Sequence, residues 1–172
     1  MPSSRFLIAS NTLGSSAASV TFSSIPATYT DLVLKTSIRS TLSDTSLQIE
    51  LNSNSNAIYS NTDIRGDGST TESNRSSNNT VFFVRGLINR SAYTSNTFAS
   101  SEIYIPSYTV NQNKPLSMFG VAENNGTAAE YITGIAGLFR STSAISSIRI
   151  FQGSGDYLAS GSSFFLYGIK NS

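Results

Sequence analysis

Residues 143–172 read SAISSIRIFQGSGDYLASGSSFFLYGIKNS, and this stretch decides the fold class. Two apolar runs, 145–151 and 163–169, flank a polar connection that contains three glycines. In both runs the side chains alternate with a period of two, which is typical of β-strands and does not fit a helix. We predict two neighbouring strands. We expect the second to lie inside a sheet, because an exposed apolar edge strand would promote aggregation.

The alternation within these two runs also predicts which side chains face the core. The connection between them, residues 153–162, is expected to form an exposed tip, with Asp156 and Tyr157 available to a partner. The side chains expected to close the core are Ile148, Ile150, Phe164, Leu166 and Tyr167.

The composition is dominated by small polar residues, with 34 serines, 17 threonines and 15 asparagines among 172 residues. The charge is low, with 11 Lys and Arg against 10 Asp and Glu, and the basic residues are scattered along the chain. This pattern argues against a nucleic-acid-binding protein, which normally carries a basic patch. No apolar run approaches the length that is needed to span a membrane.

The sequence contains no cysteine and no histidine. Thiolate chemistry, disulfides, the commonest general base and the commonest metal ligand are therefore missing. Carboxylates are the conventional catalytic groups that remain, and no pair of them is recognisable as a glycosidase-type couple. We predict that the chain is not an enzyme, with no catalytic residues, no cofactor and no metal site.

Alternating runs along the rest of the chain predict an all-β, antiparallel β-sandwich of jelly-roll-like architecture, because an open sheet of so many strands would curl or split. We expect one domain over residues 1–172, with an N-terminal arm at 1–11 and a long polar loop at 52–80. Residues 41–45 are short enough to join their flanking strands as a hairpin. A helix would fit only at 87–96, and poorly. Strands are predicted at 5–9, 18–22, 31–40, 46–52, 57–60, 81–84, 98–105, 115–122 and 129–139.

The segment Asp63-Ile64-Arg65-Gly66-Asp67-Gly68 is the most suggestive short motif. Its Arg-Gly-Asp tripeptide is an adhesion signal when an exposed loop displays it, and a Gly-rich turn otherwise. The acidic groups, together with Glu72, are candidate Ca²⁺ ligands, but Arg65 places a cation in the middle of the series. Among the tyrosines, Tyr59 and Tyr157 are the best candidates for a binding surface.

Four segments resemble a known family. They are SIPATYTDLVL at 24–34, Tyr59 followed by RGDGS at 65–69, GLFRSTSAISSI at 137–148 and ASGSSFFLYGIK at 159–170. Together they are similar to small β-rich virion proteins of tailed phages, many from cyanobacterial and other aquatic hosts. One departure is Phe139, where the pattern has Trp. The resemblance implies a jelly-roll-like sandwich that is displayed on the particle, usually as a homotrimer.

From this resemblance we expect a capsid decoration (cement) protein that binds the major capsid protein on the phage head. The alternative is a tail-fibre or receptor-binding domain that recognises a host surface glycan. Neither role involves nucleic acid or a membrane. The residues expected to make contact are Phe6, Leu7 and Ile8 in the arm, Tyr59, Asp63, Arg65 and Asp67 in the polar segment, and Asp156 and Tyr157 in the closing connection.

Overall fold

The computed structural model describes residues 4–43, 46–126, 131–153, 155 and 157–170. Within these residues the regular secondary structure consists of twelve β-strands, and no helix is present. They are β1 (Ser4–Thr12), β2 (Ser19–Phe22), β3 (Asp31–Ile38), β4 (Ser46–Leu51), β5 (Tyr59–Gly66), β6 (Thr71–Asn79), β7 (Phe82–Arg85), β8 (Ala99–Ile105), β9 (Lys114–Ala122), β10 (Tyr131–Phe139), β11 (Ile148–Gln152) and β12 (Ser163–Lys170).

The strands form two antiparallel sheets that enclose one apolar core. The large sheet has the order β1-β12-β3-β8-β9-β10-β5-β6, and the small sheet has the order β2-β11-β4-β7. Buried apolar side chains from both sheets belong to a single cluster. The predicted fold class, an antiparallel jelly-roll-like β-sandwich, is confirmed.

The two closing strands lie in different sheets, so the prediction that they are neighbours is wrong. β11 lies between β2 and β4 of the small sheet, whereas β12 lies between β1 and β3 of the large sheet. Each strand has one apolar face, and these faces meet across the core: Ile150 and Leu166 are both completely buried. The prediction that the last strand lies inside a sheet is confirmed.

Tyr167 and the connection before β12 also differ from the prediction. Tyr167 lies on the outer side of the large sheet and is only half-buried, because it alternates with the buried Leu166. The connection is not simply an exposed tip, since Leu158 is fully buried and its backbone bridges Ala17 and Ser40. This anchor holds the crossing between the sheets.

The predicted hairpin over residues 41–45 is also wrong. β3 pairs with β12 and β8 in the large sheet, and β4 pairs with β11 and β7 in the small sheet. Each strand has one apolar face. Because the two strands lie in opposite sheets, both apolar faces are buried in the same core. Residues 87–96 form turns and bends rather than a helix.

The polar segment at 52–80 is not a long loop. It contains β5 and β6, which pair as a hairpin at the edge of the large sheet. β6 reads TESNRSSNN, and because it has no apolar residue it lacks the alternation by which strands are recognised. Its pairing depends on backbone hydrogen bonds to β5 and on the turn between the two strands.

The N-terminal segment is likewise a strand rather than an arm. From Ser4 onward it forms β1, the opposite edge of the large sheet, paired with β12. β7, the edge strand of the small sheet, is buried on one face only, because Phe82 and Val84 face the core and Phe83 is exposed on the outer side.

Candidate functional site

β5 presents two chemically different faces. Asn61, Asp63 and Arg65 point to the inner side of the large sheet, whereas Thr62 and Ile64 point outward. The inner side at this end is not filled with apolar residues. Instead it borders a cleft of about 290 Å³ between the β5–β6 hairpin and the edge of the small sheet. This polar cleft is lined by Ser46, Asn61, Asp63, Arg65, Asn74, Arg75, Ser76, Phe83 and Arg85.

Arg65 is the most constrained side chain of the polar cleft. Its side chain is only 5% exposed, and its Nη2 atom lies 2.7 Å from the Glu72 Oε2 atom on β6. The guanidinium also lies over the Tyr131 ring, with 5.5 Å from Cζ to the ring centroid. The ion pair and the ring hold the guanidinium in one orientation, so its free edge has a defined direction.

Three buried polar atoms of the cleft make no hydrogen bond to any described residue. They are Asn61 Oδ1, Asp63 Oδ2 and Arg65 Nε. The last two lie 3.8 Å apart, which is an ion-pair distance but too long for a hydrogen bond. A buried donor or acceptor without a hydrogen bond costs free energy, so these three atoms destabilise this part of the fold.

The outer face of the same end of the sheet is apolar. In the pairing register Phe119 on β9 and Ile64 on β5 flank Gly134 of β10, and Val121 lies opposite Ile132 in the adjacent row. These four side chains are between 39% and 58% exposed. We refer to Ile64, Phe119, Val121 and Ile132 as the outer apolar face. An ion pair of 3.2 Å between Lys35 and Glu102 borders it on the β8 side.

Tyr59 is not a surface residue, contrary to the prediction. It is completely buried as the first residue of β5, between the rings of Phe82 and Phe139. Its hydroxyl accepts a hydrogen bond from Leu51 N at 3.0 Å and lies 2.7 Å from the carbonyl oxygen of Asn54. Burial raises the pKa of Tyr59 to about 12. The prediction failed because the residues that follow Tyr59 are mostly polar and do not show the apolar alternation of a strand.

Asp67 has a local structural role in the turn between β5 and β6. Its Oδ1 atom accepts hydrogen bonds from Thr70 N at 2.6 Å and Ser69 N at 2.9 Å. These backbone donors, Thr70 first, hold the pKa of the carboxyl below its ordinary value. The Arg-Gly-Asp tripeptide is not displayed, because Arg65 is buried. In the part of the chain that the structure describes, no three acidic side chains cluster as metal ligands.

The other expected contact residues lie away from the polar cleft. Phe6 and Leu7 are exposed and Ile8 is half-buried on β1, at the opposite edge of the large sheet from the β5–β6 hairpin. Tyr157 is exposed in the connection after β11, where its backbone N–H donates to Thr41 Oγ1 at 3.2 Å. Asp156 lies outside the described residues.

Sequence reasoning brought Asp63 and Arg65 into the site but missed Asn61, Phe83 and the outer apolar face. A signal for that face was present, because β9 and β10 place apolar residues at outward as well as inward positions. No comparable signal marked Phe83. It reaches the polar cleft only because the edge of the small sheet meets the β5–β6 hairpin there.

Comparisons with known proteins give one distant structural match. No protein-family model matches the chain, and no curated protein matches it. Among solved structures, the galectin LEC-6 of Caenorhabditis elegans is similar over 97% of this chain and 96% of the galectin, with 12% identity and a TM-score of 0.38. No helix within the described residues is long and apolar enough to cross a membrane.

Proposed function

We propose that the chain is a phage virion structural protein that decorates the head and binds the major capsid protein. The observation that carries this proposal is the outer apolar face, where four exposed apolar side chains form two adjoining rows across β5, β10 and β9. Exposed apolar patches of this kind on soluble proteins mark interaction surfaces. The resemblance of the chain to small β-rich virion proteins supplies the partner.

The surroundings of the outer apolar face suit contact with a protein. The ion pair of Lys35 and Glu102 lies on one side of it, Ser and Thr residues border it elsewhere, and Asp67 and Glu123 lie beside Val121 and Ile132. An apolar centre with a polar rim is the usual anatomy of a protein–protein interface. Fully burying one large apolar side chain contributes about 1.5–3 kcal/mol, and each of these four is already partly covered. One copy therefore supplies only modest affinity.

A homotrimer, which we include in the proposal, would overcome this modest affinity. Three linked copies bind a lattice by avidity, because the second and third contacts become intramolecular. This gain requires that the capsid subunits repeat with the spacing of the three outer apolar faces. The low net charge of +1 also favours the dense packing of many copies.

We further propose that the protein is not catalytic, on the basis of how its carboxylates are used. Each carboxylate in the described residues has a structural partner. Glu50, Asp63, Glu72 and Glu102 form ion pairs with Arg or Lys, and Asp31, Asp67 and Glu123 accept hydrogen bonds from nearby backbone N–H groups. Carboxylates that are held in this way stabilise the fold.

The proposal is tested by the binding of purified protein to phage heads that lack it. Phe119→Ser and Ile132→Ser remove apolar side chains from the outer face without touching the core. We expect the double variant to lose at least about tenfold in affinity, which corresponds to about 1.4 kcal/mol. Cosedimentation with the heads measures this loss.

The matched control is Leu42→Ser, because Leu42 is 52% exposed but lies in the β3–β4 connection. We expect this variant to bind as the unsubstituted protein does. Thermal melts of all three proteins establish that they are folded. Equal binding by the double variant, or no binding of the unsubstituted protein to heads, would reject the proposal.

A further inference from the structure

We propose that the polar cleft between β5, β6 and β7 is a saccharide-binding site. The site lies on the inner side of β5, opposite the outer apolar face, so it is independent of the capsid contact proposed above. Two of its side chains, Asn61 and Arg65, are more than nine-tenths buried. Both residues line the cleft, and each carries a buried polar atom that has no hydrogen-bond partner among the described residues.

The three atoms without a hydrogen bond define the chemistry of the ligand. Asn61 Oδ1 and Asp63 Oδ2 accept hydrogen bonds, whereas Arg65 Nε donates one. A suitable ligand must therefore donate and accept within a short distance. A hydroxyl group does both, and a hydroxyl beside Asp63 Oδ2 and Arg65 Nε, which are 3.8 Å apart, would lie within hydrogen-bond distance of both atoms.

Simple ions do not meet these requirements. An anion such as phosphate would satisfy Arg65, but its negative charge would be repelled by the neighbouring carboxylate of Asp63. A cation would find the oxygens of Asn61 and Asp63 but also the guanidinium of Arg65, which the ion pair with Glu72 holds in place. A neutral molecule with several hydroxyl groups avoids both conflicts.

The opposite wall of the cleft adds an aromatic surface. Phe83 is exposed and lines the cleft from the edge of the small sheet. An exposed ring offers its face to the C–H surface of a sugar, which aliphatic side chains do less well. Arg75 and Arg85 also line the cleft and supply further donors for hydroxyl or ring oxygens.

The dimensions of the cleft limit the size of the ligand. Asn61 and Arg65 are four residues apart on one strand, so their Cα atoms are separated by about 13 Å. The volume of about 290 Å³ is at the low end for small-molecule sites. These dimensions fit one or two sugar residues, either free or at the end of a longer glycan.

We would test the site by NMR titration of the ¹⁵N-labelled full chain. The probes are methyl glycosides of glucose, galactose, mannose and N-acetylglucosamine, with inorganic phosphate and acetylated dipeptides as competing chemistries. We expect at least one glycoside to cause saturable shifts confined to residues 61–65, 74–76 and 83–85. The expected Kd is about 1 mM, as is usual for a small ligand with few contacts.

Two substitutions distinguish binding from folding. Asp63→Asn keeps the shape of the side chain but converts one acceptor oxygen into a donor, and we expect it to weaken the bound glycoside at least about tenfold. Phe83→Ala removes the ring at an exposed position, so it should weaken binding while the melting temperature stays unchanged. Phe119→Ser, on the outer apolar face, is the matched control and should bind the glycoside normally.

Several outcomes would overturn this inference. They are the absence of shifts with every glycoside up to about 50 mM, shifts that map to the outer apolar face, and saturation by phosphate or dipeptide alone. Binding that survives both Asp63→Asn and Phe83→Ala would also refute it. Because Phe119→Ser tests the capsid contact separately, failure of either proposal leaves the other intact.

Discussion

Tyr59→Phe is the substitution that tests the structure of the core most sharply. It removes one hydroxyl and keeps the ring, which lies edge-on to Phe82 and tilted against Phe139, each with 4.9 Å between ring centroids. The packing is therefore preserved, and the change isolates the hydrogen bonds. These bonds tie the end of β4 to the segment that precedes β5.

The magnitude follows from the partners of the hydroxyl. Leu51 N donates to it at 3.0 Å, and it donates to the carbonyl of Asn54 or of Leu51, at 2.7 and 3.1 Å. Each net hydrogen bond contributes about 1 kcal/mol, and a buried group left without a partner costs about 1–3 kcal/mol. We expect the free energy of unfolding to fall by about 2–3 kcal/mol.

Urea denaturation measures this loss. With an m-value of about 2 kcal/mol per M, the midpoint should move down by about 1 M while m stays constant. Tyr157→Phe is the control, because its exposed hydroxyl should change stability by less than about 0.5 kcal/mol. A loss for Tyr59→Phe that is no larger than for the control would refute the burial of this hydroxyl.

Two further changes probe the same fold. Burial raises the pKa of Tyr59 from 10.0 to about 12, so the stabilising contribution of its neutral hydroxyl is complete below pH 10 and is lost as pH rises through 12; a shift of this size corresponds to roughly 3 kcal/mol. Urea midpoints across this window should therefore fall more for the unsubstituted protein than for Tyr59→Phe, and parallel curves would contradict the shift. Gly168→Ala would place a Cβ atom 2.2 Å from Tyr29 Cγ, so we expect a loss of about 1–3 kcal/mol. Gly14→Ala, with no atom within 4 Å, is the control, and equal melting temperatures for the two variants would show that Tyr29 does not cover Gly168.

The sequence predicted those strands whose burial imposes a pattern on them. In β3, β4 and β9 one face is buried in the core, so apolar residues recur at every second position. β6 lies at an edge and is largely exposed, and backbone pairing places no constraint on its side chains. The sequence therefore predicts the strands that face the core, but it does not predict the strand at the polar edge of the sheet.

The sequence pattern of a single strand does not predict to which of the two sheets the strand belongs. A strand with one apolar face is equally compatible with pairing to its neighbour in sequence and with packing across the core. The sequences of β11 and β12 have the pattern expected of the two strands of a hairpin, yet the strands belong to opposite sheets. The connection between them is anchored by the buried Leu158, whose backbone bridges Ala17 and Ser40 far away in sequence.

The candidate sites show the same division. The motif around Asp63 and Arg65 was recognisable because charged residues are rare in this chain. Its role was not recognisable, because the burial of Arg65 depends on Glu72 across the hairpin and on Tyr131 from β10. The outer apolar face is likewise assembled from three strands and becomes visible only in the pairing register.

The most direct test of the proposed function is a density map of the intact particle, combined with the copy number of the protein per virion. Decoration of the head predicts hundreds of copies, grouped in threes, with Phe119 and Ile132 against the major capsid protein. A few tens of copies at the tail, or a head-bound copy whose outer apolar face is turned to solvent, would contradict the proposal.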